Sequence, residues 1–316
     1  MVKFDRVLVG KIDLDTVGVA YLLGVTRKDT VEALRGETSQ ENLLDPSVLC
    51  IEVGGSGMVE TCCFDHHAED GPTDSATLQA AKVKYGLCGG CSGPTANPPY
   101  CNEGDCNLWF SPGSGWTSKL HQLVDYVNLL DTKGPESLRD RTGGNVEFPT
   151  LSDVFAGLLL TERDPVEQLH KGIELLATVI EEGINPFGTV PGFNAYAEAK
   201  VENNQQIVLA VKSARWETTV VGRKFAILET EFFGAPGALY GAGAEVVVAF
   251  NPTFGQPPVA KFTVAGNGIR VNEALQALNA LEEGWGGPPT GTIIGSPRSG
   301  STLTLEQVVE IVRKAC

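Results

Sequence analysis

Apolar positions recur at two different spacings along this chain, and the balance between them shifts near residue 205. At the amino end, "DRVLVG" (5–10) is a β-branched apolar run that reads as a buried strand. It is followed by the polar "KIDLD" (11–15) and by "TVGVAYLLG" (16–24), whose apolar spacing predicts a helix. "SVLCIEVGG" (47–55) reads as a second strand ending in glycines, and "VETCCFDHH" (59–67) as a third that stops at two adjacent histidines. Helical spacing then returns in "SKLHQLVDYVNLLD" (118–131) and "LSDVFAGLLL" (151–160). It returns again in "PVEQLHKGIELLATVIEEGINP" (165–186), where Gly183 and Pro186 supply the stop. Beyond residue 205 strand-like runs dominate: "QIVLAVK", "TTVVGRKFAILET", "AEVVVAF" and "VAKFTVAG". Short helical patterns sit in "PGALYGAG" and "VNEALQALNAL".

These patterns predict an α/β protein of two domains, which a length of 316 residues also favours. The first, 1–190, is helix-rich around a parallel sheet and carries an insertion at about 86–115 with little periodicity. Residues 191–204 read as a linker, and 205–316 as a smaller α/β domain. Composition agrees with a globular chain, since 42% of residues are hydrophobic and 20% charged, and no apolar run approaches the ~20 residues that cross a bilayer. "MVKFDRVLVGKIDLD" lacks the long apolar core of an export signal, so the eight cysteines are expected as reduced or metal-bound thiols in a cytoplasmic protein. A net charge of −15 offers no counterion-release term for long duplex nucleic acid. It leaves room for a small anionic substrate, because clustered carboxylates can hold divalent metals that reverse the local field.

Each of the first three strands runs into metal-capable residues: Asp13 and Asp15 after the first, Glu52 at the second, Asp65, His66 and His67 at the third. In open α/β sheets a ligand site lies beyond the carboxyl ends of the strands, so these loops are expected to converge. Only four histidines occur in the chain, and adjacent ones on an extended segment point to opposite faces, so two structural roles side by side are awkward. His121 and Asp125, four apart, read as a surface pair, and His170 as structural.

With "DLD" (13–15), "FDHH" (64–67), "LLDT" (129–132) and "GGPPTGTIIGSPR" (286–298) in this order, the chain resembles the DHH/DHHA1 phosphoesterases, a family that includes nanoRNase-like and exopolyphosphatase-like enzymes. The resemblance covers nearly the whole chain. It implies an N-terminal DHH domain, a C-terminal DHHA1-like substrate-binding domain and an active site in the cleft between them. It also implies manganese-dependent hydrolysis, with magnesium or cobalt as alternatives, of a short oligonucleotide, a nucleotide, a cyclic dinucleotide or polyphosphate. One or two ions are expected, no membrane partner, and a homodimer is compatible with it. By position, Asp13, Asp15, Glu52, His66 and Asp131 would be the metal ligands. Asp65 would orient the ligating imidazole and His67 would contact the substrate phosphate. Divalent metals suit this donor set because they lower the pKa of a bound water and neutralise charge developing on phosphoryl oxygens.

Two positions depart from the family pattern. Its histidine four residues before the first aspartate is Val9 here, and its intervening asparagine is Lys11. Either the first metal is weakly held, or the Lys11 ammonium takes over its charge by pairing with Asp13 or with substrate phosphate. Glu52 stands where the family has a bridging aspartate. These departures keep a second reading open: a catalytically impaired DHH-like protein that binds a nucleotide as a regulatory module.

Two further segments carry candidate chemistry. "CGGCSGPTANPPYCNEGDC" sets Cys88, Cys91, Cys101 and Cys106 in a C-x2-C, C-x4-C arrangement that suits a structural zinc; an iron–sulfur cluster or uncoordinated thiols are the alternatives. Cys62 and Cys63 read as buried strand residues. Near the end, Gly286, Gly287, Thr292, Ser296 and Arg298 are expected to bring backbone N–H groups, hydroxyls and a guanidinium to an anion.

Overall fold

The computed structural model describes residues 3–67, 73–85, 116–134, 137–138, 148–255, 257–287 and 291–316. The cysteine-rich insertion with Cys88, Cys91, Cys101 and Cys106 lies outside them. The chain divides into two compact units, Met1–Glu198 and Ala199–Cys316. No helix among the described residues is long and apolar enough to cross a membrane.

The first unit is built on a four-stranded parallel sheet of β1 (Arg6–Val9), β2 (Val31–Ala33), β3 (Val48–Ile51) and β4 (Cys63–Phe64), in the order β2-β1-β3-β4. Strict alternation sorts its side chains. Val7, Val9, Leu49, Ile51 and Phe64 enter the main core with the helices, whereas Leu8, Val48, Cys50 and Cys63 face a small cluster on the other side. Because all strands run the same way, their carboxyl ends share one edge. There Val9, Ile51 and Phe64 form the last paired row, and the next residues out are Gly10, Glu52 and Asp65.

Among the described residues this unit also has helices α1 (Leu14–Leu23), α2 (Gln40–Leu44), α3 (Ala76–Tyr85), α4 (Ser118–Lys133), α5 (Leu151–Thr161) and α6 (Pro165–Glu181). Asp13 caps α1 by accepting from the Thr16 N–H, and Gly24 in the left-handed conformation ends it. Helices α1 and α3 approach closely at Gly18, where an added Cβ would lie 2.2 Å from Thr77 Oγ1. Gly18→Ala is therefore expected to destabilise the protein by ~1–3 kcal/mol, read from denaturant midpoints.

The second unit holds a mixed sheet in strand order: β5 (Arg215–Thr218), β6 (Lys224–Glu229), β7 (Val246–Phe254), β8 (Val259–Gly266) and β9 (Ile293–Gly295). Only the β6–β7 pair is parallel. Helix α7 (Asn194–Val211) spans the boundary between the units, and α8 (Ala235–Gly241), α9 (Asn272–Asn279) and α10 (Leu305–Ala315) complete the set. Phe225 and Ile227 face a core shared with α9 and α10, and Ala226 and Leu228 face one shared with α7 and α8.

Three local readings change. "QIVLAVK" is the end of α7 rather than a strand. Ile207, Ala210 and Val211 fall at helical spacing on one core while Val208 and Leu209 are exposed. Much of the segment read as a linker belongs to that same helix. The expected third strand shrinks to Cys63–Phe64, because Val59–Thr61 forms a 3₁₀ turn and Cys62 takes a left-handed φ of 60°.

Candidate metal centre

Each candidate side chain is placed by its own element. Gly10 follows β1 and packs so tightly on the Glu52 backbone that a Cβ would lie 2.1 Å from the Glu52 carbonyl oxygen. Glu52 follows β3 with a φ of 58°, a left-handed conformation costly for a residue with a side chain. Asp15, in the first turn of α1, accepts from the backbone N–H groups of Ala76 (2.7 Å) and Thr77 (2.8 Å), so it holds the start of α3. Asp131 sits in the last turn of α4, where the helix dipole disfavours an anion. Its place there serves something other than helix stability.

These elements converge on one imidazole. His66 Nε2 lies 2.9 Å from Asp131 Oδ2, 3.8 Å from Glu52 Oε1 and 3.9 Å from Asp15 Oδ2. The nitrogen is buried, yet the 2.9 Å contact is too poorly aligned to be a good hydrogen bond. Asp15, His66 and Asp131 form one group whose ligand atoms could share an ion, and Glu52, His66 and His67 form another.

The second histidine is held differently. His67 Nδ1 lies 3.0 Å from both Asp65 Oδ1 and Glu52 Oε2, and its backbone N–H donates to Asp65 Oδ1 at 2.8 Å. The Gly54 N–H donates to the other Asp65 oxygen at 2.8 Å. Asp65 was expected to orient the ligating imidazole of His66; instead it orients His67. The physical reason is that the Asp65 carboxylate turns back onto the N–H two residues on, an Asx-type closure that leaves His66 to the other side. With Nδ1 occupied and the ring 53% exposed, His67 directs its Nε2 edge away from the carboxylates.

The charges follow this geometry. Burial, then the negative charge of Asp131, Glu52 and Asp13, pushes the Asp15 carboxyl up to about 7. Burial also raises Glu52, although the His67 imidazole counters it. Burial opposes ionisation of Asp65 too, but hydrogen bonds from the His67 ring and from two backbone N–H groups hold it down at about 2. Asp65 and Glu52 raise His67 to about 10. Burial disfavours a charged His66, yet Asp131 and Glu52 outweigh it and raise its pKa. Several carboxylates thus share a buried pocket with too little positive charge. A divalent cation fits that imbalance and that set of oxygen and imidazole donors.

Asp13 stands apart from both ligand groups. It caps α1, and its other oxygen lies 3.3 Å from Lys11 Nζ, on a side chain that is 75% exposed. Burial would raise its pKa, but Lys11 and the Thr16 N–H lower it. Val9 is fully buried in the main core.

Sequence reasoning missed the residues that support the site. Thr77 Oγ1 donates to the Asp15 carbonyl, Gln79 Nε2 donates to the Asp65 carbonyl, and the Ser75 N–H donates to Asn128 Oδ1, tying α3 to α4. Ser75 ahead of "ATLQAA" is the helix-start signal that would have found α3.

In the second unit, Gly286 pairs with Gly295 through two backbone hydrogen bonds, and a Cβ on Gly287 would lie 2.1 Å from the Ile293 carbonyl oxygen. Gly287 thus permits a close backbone approach, whereas a Cβ on Gly286 would meet nothing within 4 Å. Ser296 is buried and its Oγ accepts from the Phe262 N–H at 2.9 Å, while the Thr292 carbonyl accepts from Gly266. Arg298 is exposed beside Lys261, whose ammonium donates to the carbonyls of Ser296 and Pro297. Burial, then the charge of Arg298, lowers Lys261 to about 8.

No protein-family model and no curated protein matches this chain. Among solved structures, it is similar to a DHH domain described as a member of the s1p family of ribosomal proteins. That likeness has 12% identity and a TM-score of 0.48, covering 98% of this chain and 85% of the other. It is also similar to CDC45 from Entamoeba histolytica at 10% identity and a TM-score of 0.40, covering 98% of this chain and 95% of the other. The fold seen here, an α/β unit on a parallel four-stranded sheet followed by a mixed-sheet unit, is the class that the resemblance to DHH proteins implies.

Proposed function

We propose that this chain is a metal-dependent phosphoesterase of the DHH type, hydrolysing a small phosphorylated substrate with a metal-activated water. One observation carries the reading: the carboxylates of Asp15, Glu52 and Asp131 come from three separate elements to within 2.9–3.9 Å of the buried His66 Nε2. A structural ion pair would need one partner, not three. Asp15, Glu52, His66 and Asp131 would hold the ion, with manganese favoured among the hard divalent metals. When bound, it would supply a water acidic enough to act as a nucleophile near neutral pH and a counter-charge for phosphoryl oxygens.

The chain's own residues do the rest. His67, kept protonated by Asp65 and Glu52, would donate from Nε2 to a phosphoryl oxygen. Lys11, tethered by Asp13 yet exposed, would place its ammonium against the phosphate on the side where the family pattern has its first metal. Lys11→Ala is expected to raise KM about tenfold, the loss of one charge contact to phosphate, with little change in melting temperature; a steady-state titration checks it.

A panel of a dinucleotide, a cyclic dinucleotide, 3′,5′-bisphosphorylated adenosine and short polyphosphate, assayed with manganese for phosphate or mononucleotide release, tests the proposal. Turnover of one of them that stops with chelator supports it. The rival reading, a nucleotide-binding module without efficient turnover, draws on Val9, whose buried apolar side chain supplies no ligand. Tight nucleotide binding with silence across the panel would favour that reading.

A further inference from the structure

Behind the site edge, on the face of the sheet away from the main core, lies a pair of thiols that the proposed chemistry does not use. Cys50 of β3 and Cys63 of β4 are direct partners in the parallel register. Alternation turns both side chains to the same face, into a cluster with Leu8, Leu43, Val48 and Val53. Adjacent strands lie ~4.7–4.9 Å apart, within the Cα separations that a disulfide spans. Each thiol donates to a backbone carbonyl, Cys50 to that of Asn42 at 3.8 Å and Cys63 to that of Leu43 at 3.4 Å. Neither is in a disulfide.

Each cysteine stands two residues before a charged site residue: Cys50 before Glu52, Cys63 before Asp65. From this juxtaposition we infer that Cys50 and Cys63 are a peroxide-sensitive pair that closes into a reversible disulfide between the two strands carrying the halves of the site. The Cys63 thiolate attacks the peroxide oxygen, the O–O bond breaks, and hydroxide leaves and takes up a proton, giving a sulfenic acid and water. The Cys50 sulfur, losing its proton, then attacks the sulfenic sulfur and a second water departs. The pair loses two electrons and the peroxide gains them. The thiolate is the form that reacts. Both sulfurs are buried, but the cover over them includes the five-residue helix α2, whose Leu43 joins their cluster and whose Leu44 is exposed. Local opening of so short an element admits a small oxidant.

Closing the bond would draw the sulfurs to ~2.05 Å and pull β4 against β3, moving Asp65, His66 and His67 relative to Glu52. That consequence for the ion rests on the metal-site reading; the disulfide itself does not.

The full-length protein would be treated with hydrogen peroxide, alkylated, unfolded and digested with a protease that cuts after glutamate. Residues 42–52 then carry Cys50 alone, and 61–69 carry Cys62 and Cys63. The expected product is these two peptides linked, with fragmentation placing the bond on Cys63, and the link is lost on reduction. In parallel, the manganese-induced rise in melting temperature is expected to fall by at least half in the oxidised sample and to recover on reduction. Cys63→Ser should form no such link. Peptides left unlinked, a bond placed on Cys62, or irreversible oxidation of Cys63 with Cys50 still a thiol would overturn the inference. A linked pair with an unchanged manganese response would leave the disulfide standing and remove its coupling to the site.

Discussion

His66→Ala is expected to lower metal-dependent hydrolysis by at least a thousandfold while the protein remains folded. The imidazole is the point on which Asp15, Glu52 and Asp131 converge and belongs to both ligand groups, so its loss removes the nitrogen donor from the Asp15–Asp131 group and one of the two from the Glu52 group. Removing groups that merely orient metal ligands already costs about 10–100-fold in affinity, and a ligand itself should cost more. Folding should survive, because Asp15 keeps its bonds to the Ala76 and Thr77 N–H groups, and Asp65 keeps His67. Circular dichroism and initial rates with manganese check both halves. A variant that retains a tenth of wild-type activity would remove His66 from the metal.

Between about pH 4 and pH 7, the metal-free protein is expected to lose a few kcal/mol of stability through Asp15. Its carboxyl pKa rises from 3.8 in the unfolded chain to about 7 in the fold. A raised carboxyl pKa means that the fold binds the proton more tightly. The contribution is thus fully present below 3.8 and is lost as pH rises toward 7. Glu52, which burial also raises, adds a loss of the same sign, whereas Asp65 and His67 titrate largely outside that window. The Asp65 contribution is present above 3.8 and lost as pH falls through about 2. That of His67 is present below 6.5 and lost as pH rises through about 10. Manganese should reverse the slope, because it competes with the proton for Asp15. At a hundred times its dissociation constant an ion adds ~2.7 kcal/mol, and the gain should be larger at pH 8 than at pH 5. Asp15→Asn should make the metal-free slope shallower and abolish the manganese-induced shift. An unaltered slope in that variant would place the titration elsewhere.

What was readable in the sequence followed from periodicity and from residue types that chemistry restricts. Buried apolar runs marked β1 and β3, and the acids and histidines placed at the strand ends do meet in space, because a parallel sheet puts all its carboxyl ends on one edge. Partnerships within the cluster were not readable. Nothing in "FDHH" says that Asp65 turns to His67 rather than His66; that choice depends on the Asx-type closure and on the Gly54 N–H, eleven residues earlier. The left-handed φ of Glu52 was equally hidden, since no local signal marks a glutamate for it. "QIVLAVK" misled because a short apolar run suits either a strand or one helix face, and the core beneath decides. Gly286 and Gly287 invited an anion-binding reading, and the sequence did not show that Gly287 also lets its backbone approach the Ile293 carbonyl closely.

The central claim is that Asp15, Glu52, His66 and Asp131 hold a divalent cation. Titrating manganese into wild-type protein and into His66→Ala at pH 8, and following the free ion by electron paramagnetic resonance, tests it most directly. Saturable binding by the wild type, weakened at least a hundredfold in the variant, is the expected result. Equal binding by both folded proteins, or none by either, would contradict it.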